Sequence, residues 1–248
     1  MMHERSTRKA QLVTALRRAL DNHEITLAYQ PIVALDDGRI IAFEALARWT
    51  SEARGDVPPD EFIALAEESG LIVPLGFQLL DLACANAARW RSRKGCEHLR
   101  LSVNLSAEQV LHPGLCTEVL RALDRHGLDP DALTLEVTES GCLEDLEAAS
   151  AALQMVRDHG VSISIDDFGT GYSSLAYLHK LPASTLKIDR SFVTRLSEDP
   201  HTLHVVRAIM RVAHSLDMQV VAEGIETMDQ LEHLRALDCD FGQGYLYA

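Results

Sequence analysis

Residues 161–171 read Val161-Ser162-Ile163-Ser164-Ile165-Asp166-Asp167-Phe168-Gly169-Thr170-Gly171. A short β-type run, Val161 to Ile165, stops at two adjacent carboxylates and a glycine-rich turn. The plan recurs on both sides. β-type runs precede it at Ile25–Tyr29, Ile40–Ala45, Leu99–Asn104 and Leu133–Val137. Others follow at Thr185–Ile188 and Gln219–Ala222, with a weaker last run at Tyr245–Tyr247. Helix-period segments lie between them. Leu146, Ala149, Leu153 and Val156 form one apolar stripe; Val205, Ile209, Val212 and Leu216 form another. Roughly eight strands interleaved with helices predict an α/β fold, a (β/α)8 TIM-like barrel. The runner-up, an open doubly wound sheet, lacks the Gly-rich phosphate loop after its first strand.

The start of the barrel departs from the pattern. Only Ala34 to Arg39, with Asp36-Asp37-Gly38 as the turn, separates the first two strands. No crossover helix fits there, so the first strand pair is expected to be antiparallel. The chain has 248 residues and no linker or repeat that divides it. Residues 1–22 are read as an N-terminal linker or helix, amphipathic over Gln11 to Leu20, and 23–248 as one domain.

Composition excludes several classes. Hydrophobic residues make up 47% and charged residues 24%, as in an ordinary globular protein. The formal net charge is −14, which disfavours a sequence-independent grip on DNA. No apolar stretch is long enough to span a membrane, and Met1 to Leu20 lacks the apolar centre of a signal peptide. The five cysteines follow no metal or disulfide spacing, so reduced thiols in a cytoplasmic protein are expected.

In a barrel the chemistry sits at the C-terminal ends of the strands. Those ends carry Glu44, Asn104, Glu136, Asp166 with Asp167, Lys187 and Glu223. Any one of them reads as a cap or an ion-pair partner. Together the five carboxylates would form a ring of like charge that repels itself unless cations neutralise it. All-oxygen donors favour Mg²⁺ or Mn²⁺ over zinc, and the adjacent aspartates suit two metals. Lys187 would orient a water or hold a phosphate oxygen. Asp189 is read equally as a partner of Lys187 or a helix cap. His201, His204 and His214 are read as surface residues, and the cluster Arg89, Arg91, Arg93 and Lys94 as a helix end in favourable interaction with the helix dipole.

Many separated motifs then coincide with one family. They are Tyr29-Gln30-Pro31-Ile32, Glu44-Ala45-Leu46, Ser102-Val103-Asn104, Glu136-Val137-Thr138-Glu139-Ser140 and Asp166-Asp167-Phe168-Gly169-Thr170-Gly171-Tyr172-Ser173-Ser174-Leu175. Lys187-Ile188-Asp189, Ala222-Glu223-Gly224-Ile225-Glu226 and Gln243-Gly244-Tyr245 complete the set. The chain resembles the EAL-domain cyclic di-GMP phosphodiesterases from about Leu27 to Tyr247. The resemblance implies hydrolysis of cyclic di-GMP to linear pGpG at two metal ions. It implies Glu44, Asn104, Glu136 and Asp166 as ligands of the first metal, and Asp166, Asp167 and Glu223 as ligands of the second. It implies Lys187 as the residue that positions the attacking water, and Glu44 and Glu223 within the catalytic set. Gln30, Leu46, Arg48 and Gln243 are implied as substrate contacts. Glu139 is implied as the anchor of the loop from Phe168 to Ser174, which links metal site and homodimer interface; its alternative is a helix cap. An upstream sensor or GGDEF module is implied before the N-terminal helix. The family usually continues past Gly244-Tyr245 with a proline-containing segment and a closing helix, so a C-terminal truncation is expected at Ala248. The alternative to an enzyme is a receptor or scaffold that binds cyclic di-GMP without turnover.

Overall fold

Ile25–Ala34 (β1) and Ile40–Ser51 (β2) pair antiparallel around the Asp36-Asp37-Gly38 turn. The Asp36 and Asp37 carboxylates accept from the amides of Asp37 and Arg39 at 2.7 and 2.9 Å. Gly38 takes a φ of 73°, a conformation that glycine adopts without steric penalty. Both strands outrun the expected lengths. Pro31 is tolerated within β1 because the second neighbour of β1 pairs only with Val33 and Ala34.

The computed structural model describes residues 2–51, 55–143, 145–169 and 178–248. Six further strands complete a closed sheet: Arg100–Leu105 (β4), Leu133–Thr138 (β5), Ser162–Phe168 (β6), Thr185–Ile188 (β7), Gln219–Ala222 (β8) and Phe241–Gly242 (β9). The order β1-β9-β8-β7-β6-β5-β4-β2 closes through β1–β2, giving an eight-stranded barrel. From β2 round to β9 every barrel pairing is parallel, whereas β1 is antiparallel to both neighbours. Gly55–Val57 (β3) adds a short antiparallel extension to β2 outside the ring. This is the expected TIM-like barrel with its modified start.

Parallel strands bury one face under helices, and period-two alternation decides which residues go there. Leu101, Val103, Leu133, Leu135, Val137, Ile163, Ile165, Leu186, Ile188, Val220 and Ala222 belong to the large buried cluster. Their strand neighbours Ser102, Asn104, Thr134, Glu136, Ser164, Asp166 and Lys187 therefore face the barrel interior. Helices such as Ile72–Arg91, Leu115–His126 and Leu146–Arg157 cover the outside. In the last of these, Ala149, Leu153 and Val156 are buried, as the apolar stripe predicts.

Two expectations are corrected. Tyr245–Tyr247 is not a strand; the last strand is Phe241–Gly242, which pairs with both β8 and β1. After it the chain turns over Ile225: Gly244 lies so close that a Cβ would collide with the Ile225 backbone, and the Leu246 amide donates to the Ile225 carbonyl at 2.9 Å. In helix Pro200–Ser215 the core face is Val206, Ile209, Met210 and Ala213, while Val205 and Leu216 are exposed. Asp199 fixes the rotation. Its carboxylate accepts from the amides of His201 and Thr202 and from the Thr202 hydroxyl, so Thr202 turns inward and the residues four, seven, eight and eleven on follow it.

The N-terminal helix Met2–Asp21 packs through Leu12, Leu16 and Ala19 into a second cluster with Trp49, Phe62, Leu65 and Leu75. Leu16 is 1% exposed. Leu16→Ala should therefore lower stability by about 3 kcal/mol, read from denaturant unfolding. Thr14→Ala, on the solvent side, should change it by less than about 0.5 kcal/mol. Equal effects would show that the helix adds no packing to the domain.

Candidate active site

The interior series of β2, β4, β5, β6, β7 and β8 converge at the C-terminal mouth of the barrel. Register sets their heights. Glu44 stands opposite Gln30 and Ser102, Asn104 opposite Glu136, and Thr138 opposite Asp166. Lys187 rises from β7 into the middle of this group and is 1% exposed. Its Nζ lies 2.6 Å from Glu223 Oε1, 2.7 Å from Glu136 Oε2, 3.2 Å from Asp166 Oδ2 and 3.3 Å from Glu44 Oε2. Two amides complete the ring. Asn104 Nδ2 donates to Glu44 Oε1 at 2.8 Å. Gln243 Nε2 donates to Glu44 Oε2 at 2.7 Å and reaches Gln30 Oε1 and Glu223 Oε1 at 3.4 Å.

Two consecutive residues of a regular strand point to opposite faces. The β6–β7 register shifts between Ile165 and Phe168, and Asp167 takes a φ of 54°. That left-handed backbone is costly for a non-glycine residue and concentrates at functional sites. Here it turns the Asp167 carboxylate to the side of Asp166, and the Asp167 amide donates to Asp166 Oδ1 at 2.8 Å. Asp166, Asp167 and Glu223 then offer oxygens within 4.8 Å of one another, as do Glu44, Glu136 and Asp166. The two triads share Asp166.

Burial and like charge set the electrostatics. Burial raises the Glu136 pKa well above the usual carboxylate range; Lys187 opposes this while Glu44 and Asp166 add to it. Burial also lifts Glu223 to about 7, again against Lys187 and with Asp166 and Glu44. Asp167 is raised by burial, Asp166 and Asp189. For Glu44, burial is outweighed by Lys187 and by hydrogen bonds from Gln243 and Asn104, so its pKa falls. Burial works against the Lys187 ammonium, but Glu136, Glu44, Glu223 and Asp166 prevail and keep it charged. One ammonium does not offset five carboxylates, which is why three of them are pushed up, and further cations are the physical complement that would let all five ionise.

The donor set fits hard divalent ions. Both triads are all-oxygen, with no histidine or cysteine, as suits Mg²⁺ or Mn²⁺. Gln243 Oε1 is buried without a hydrogen-bond partner among the described residues, one more oxygen within the same ring.

The other expected residues lie as follows. Leu46 and Arg48 share the Glu44 face of β2 by period two, Leu46 half-buried and Arg48 exposed. The Arg48 guanidinium donates to the Ala47 carbonyl at 2.8 Å. Gln30 is half-buried beside the ring, whereas Gln243 is 5% exposed and bonded to its carboxylates. Glu139 opens helix Glu139–Leu143 and is half-buried, but the hydroxyl of Thr138 accepts from the Gly141 amide at 3.2 Å. Thr138 is thus the capping side chain. Asp189 caps helix Arg190–Thr194, accepting from the Ser191 amide at 3.0 Å. His204 meets the Pro200 carbonyl and His214 meets Asp240, both away from the ring. Of the loop 168–174, Phe168 and Gly169 are described and the rest lies outside the described residues.

One layer went unread in the sequence. Ser102, Thr134, Ser164 and Thr185 sit two residues before Asn104, Glu136, Asp166 and Lys187. The repeated hydroxyl-x-functional spacing marks a polar floor beneath the ring and was legible as period two.

Comparison with known proteins is consistent in one direction. The sequence model of the EAL domain matches residues 13–248. The chain is 44% identical over 245 residues to the bifunctional diguanylate cyclase/cyclic di-GMP phosphodiesterase MucR of Pseudomonas aeruginosa, covering 99% of this chain and 36% of that protein. It is 43% identical over 244 residues to the cyclic di-GMP phosphodiesterase NbdA of the same organism, covering 98% and 31%. The chain thus spans about a third of the length of these relatives. A solved structure of the PaMucR phosphodiesterase in complex with c-di-GMP superposes with a TM-score of 0.91 at 45% identity, covering 96% of each chain.

The ring makes a prediction independent of turnover. Lys187→Met leaves the carboxylates of Glu44, Glu136, Asp166 and Glu223 facing one another without the ammonium. In excess chelator this should lower stability by about 3–5 kcal/mol, measured by denaturant unfolding. Added Mn²⁺ should recover most of that loss. A variant as stable as the parent in chelator would mean that the ring is held neutral by protonation instead.

Proposed function

The chain belongs to the EAL domain family, and from that premise we propose that it hydrolyses cyclic di-GMP to linear pGpG in a metal-dependent reaction. One observation carries the reading: two oxygen triads sharing Asp166, gathered around a buried lysine at the C-terminal mouth of a barrel. Glu44, Asn104, Glu136 and Asp166 would hold one Mg²⁺ or Mn²⁺ ion, and Asp166, Asp167 and Glu223 a second. Such ions activate water and offset charge on phosphoryl oxygens.

The remaining work falls to the chain's own residues. A protein of net charge −14 repels a doubly anionic cyclic dinucleotide, so local cations must receive it. Arg48, exposed at the rim, offers a guanidinium fork suited to a phosphate. Leu46 supplies an apolar contact and Gln30 a polar one beside it. Lys187, an ammonium surrounded by Glu44, Glu136, Asp166 and Glu223, is placed to donate a hydrogen bond to the attacking water or to a phosphate oxygen. Gln243 fixes the Glu44 carboxylate and stands between it and Glu223. Glu139, at the end of β5, keeps its assignment as the anchor of the loop 168–174, most of which lies outside the described residues, and a homodimer is part of the proposal. An upstream sensor or GGDEF module before the N-terminal helix is part of the proposal, and the relatives are about three times as long as this chain. Among the described residues no helix is long and apolar enough to cross a membrane, and the reaction is assigned to the cytoplasm.

The test is purified protein with cyclic di-GMP and Mg²⁺ or Mn²⁺, with products resolved by chromatography. Linear dinucleotide that disappears in excess chelator supports the reading; binding without turnover replaces it with a receptor. Glu44→Ala should lose Mn²⁺ binding and turnover together. Lys187→Ala should lower kcat by about a hundredfold or more while cyclic di-GMP still binds. A raised KM with kcat unchanged would instead make Lys187 a substrate clamp.

A further inference from the structure

Beneath the carboxylate ring the barrel holds a partly open cavity of ≈ 40 Å³. Branched apolar side chains fill this space in a typical (β/α)8 barrel. Here Ser102, Thr134, Ser164 and Thr185 line one side of it with Glu136 and Arg100, while Ile32, Ala42 and Val221 form part of an apolar wall. These hydroxyls come from four successive parallel strands, β4 to β7, at neighbouring register: Ser102 pairs with Thr134, and Ser164 with both Glu136 and Thr185. Ser164 is 1% exposed, and its Oγ has no hydrogen-bond partner among the described residues. Buried hydroxyls are almost always bonded to protein or to ordered water. A cavity needs only about 10–15 Å³ and two to four polar partners to hold a water.

Glu136 stands directly beside Ser164 on the neighbouring strand. Lys187 engages its Oε2 at 2.7 Å. A larger cavity of ≈ 720 Å³ at the opposite mouth of the barrel shares Ile41, Gln219 and Phe241 with the small one. The floor thus neighbours the opposite mouth of the barrel, away from the face that receives substrate.

We propose that this cavity is an ordered-water site, and that Ser164 is a positioning residue that fixes the Glu136 carboxylate through the bound water. The inference rests on the reading of Glu136 as a metal ligand. Partners of metal ligands tune affinity, and their loss typically weakens binding about 10–100-fold.

Two measurements test it. A crystal structure of the unsubstituted protein with its waters resolved should show density within hydrogen-bond distance of both Ser164 Oγ and Glu136; a dry cavity overturns the inference. Mn²⁺ titration followed by electron paramagnetic resonance then compares Ser164→Val with Ser164→Thr, which share a shape and differ by the hydroxyl. Ser164→Val should weaken Mn²⁺ binding about tenfold or more, with Ser164→Thr near the parent. Equal weakening by both assigns the effect to packing and overturns the role of the hydroxyl. Glu136→Ala is the control. If it loses Mn²⁺ while Ser164→Val binds as the parent does, the water link alone fails. If Glu136→Ala binds Mn²⁺ at parental affinity, the metal reading and this inference fall together.

Discussion

One buried ammonium, that of Lys187, faces carboxylates supplied from four different strands. β2 gives Glu44, β5 gives Glu136, β6 gives Asp166, and the end of β8 gives Glu223. Unpaired buried charges are far more costly than any lost packing contact, so the cluster tolerates little relative movement of those strands. A slip of β5 by one residue would send Val137 into the barrel and Glu136 under the helices. The ion cluster therefore constrains register as well as chemistry, and the same carboxylates that need Lys187 leave an excess of negative charge that invites divalent ions.

Around that cluster the two faces of the sheet differ. Its outer face is aliphatic and is held by the large core beneath the helices. Its inner face below the ring carries hydroxyls on β4 to β7 and the apolar Ile32, Ala42 and Val221 on β1, β2 and β8. The outer face supplies the hydrophobic stabilisation that lets the inner face remain partly polar. The exception within β6 is instructive. Strict alternation would have placed Asp167 outside the barrel; the register shift and left-handed backbone bring it in. Strain at one residue adds the second triad without rebuilding a strand.

Much of this was legible in the chain. Strand alternation, the two-carboxylate end of β6 and the short Asp36-Asp37-Gly38 turn foretold a barrel with an antiparallel start. The convergence of Glu44, Glu136, Asp166, Lys187 and Glu223 followed from strand ends alone. What escaped depended on tertiary contacts or caps. β9 is only Phe241 and Gly242, too short to show periodicity, and it exists because β1 and β8 flank it. The face of helix Pro200–Ser215 was set by the Asp199 cap rather than by its most apolar stripe. Thr138 and Asp189 compete with Glu139 and Lys187 for roles that composition cannot separate, because a cap and a ligand contact use the same side chains. The motifs of the family supplied assignments for Arg48 and Leu46 that neither period nor charge would have reached.

The seam of the barrel has a kinetic consequence. Its first strand is held between β2 and β9, so the ring closes only when Phe241 and Gly242 reach Val33 and Ala34. Just past that seam, Gln243 meets Glu44, 199 residues earlier in the chain. Contacts of such sequence separation form late, because loop closure must come before they contribute. A nascent chain that has built β2 to β7 already carries Glu44, Glu136, Asp166 and Lys187, yet lacks Glu223 and the amide that orders Glu44. Before ring closure the acidic mouth therefore lacks both Glu223 beside Lys187 and the Gln243 contact to Glu44, and the complete site arises only with closure.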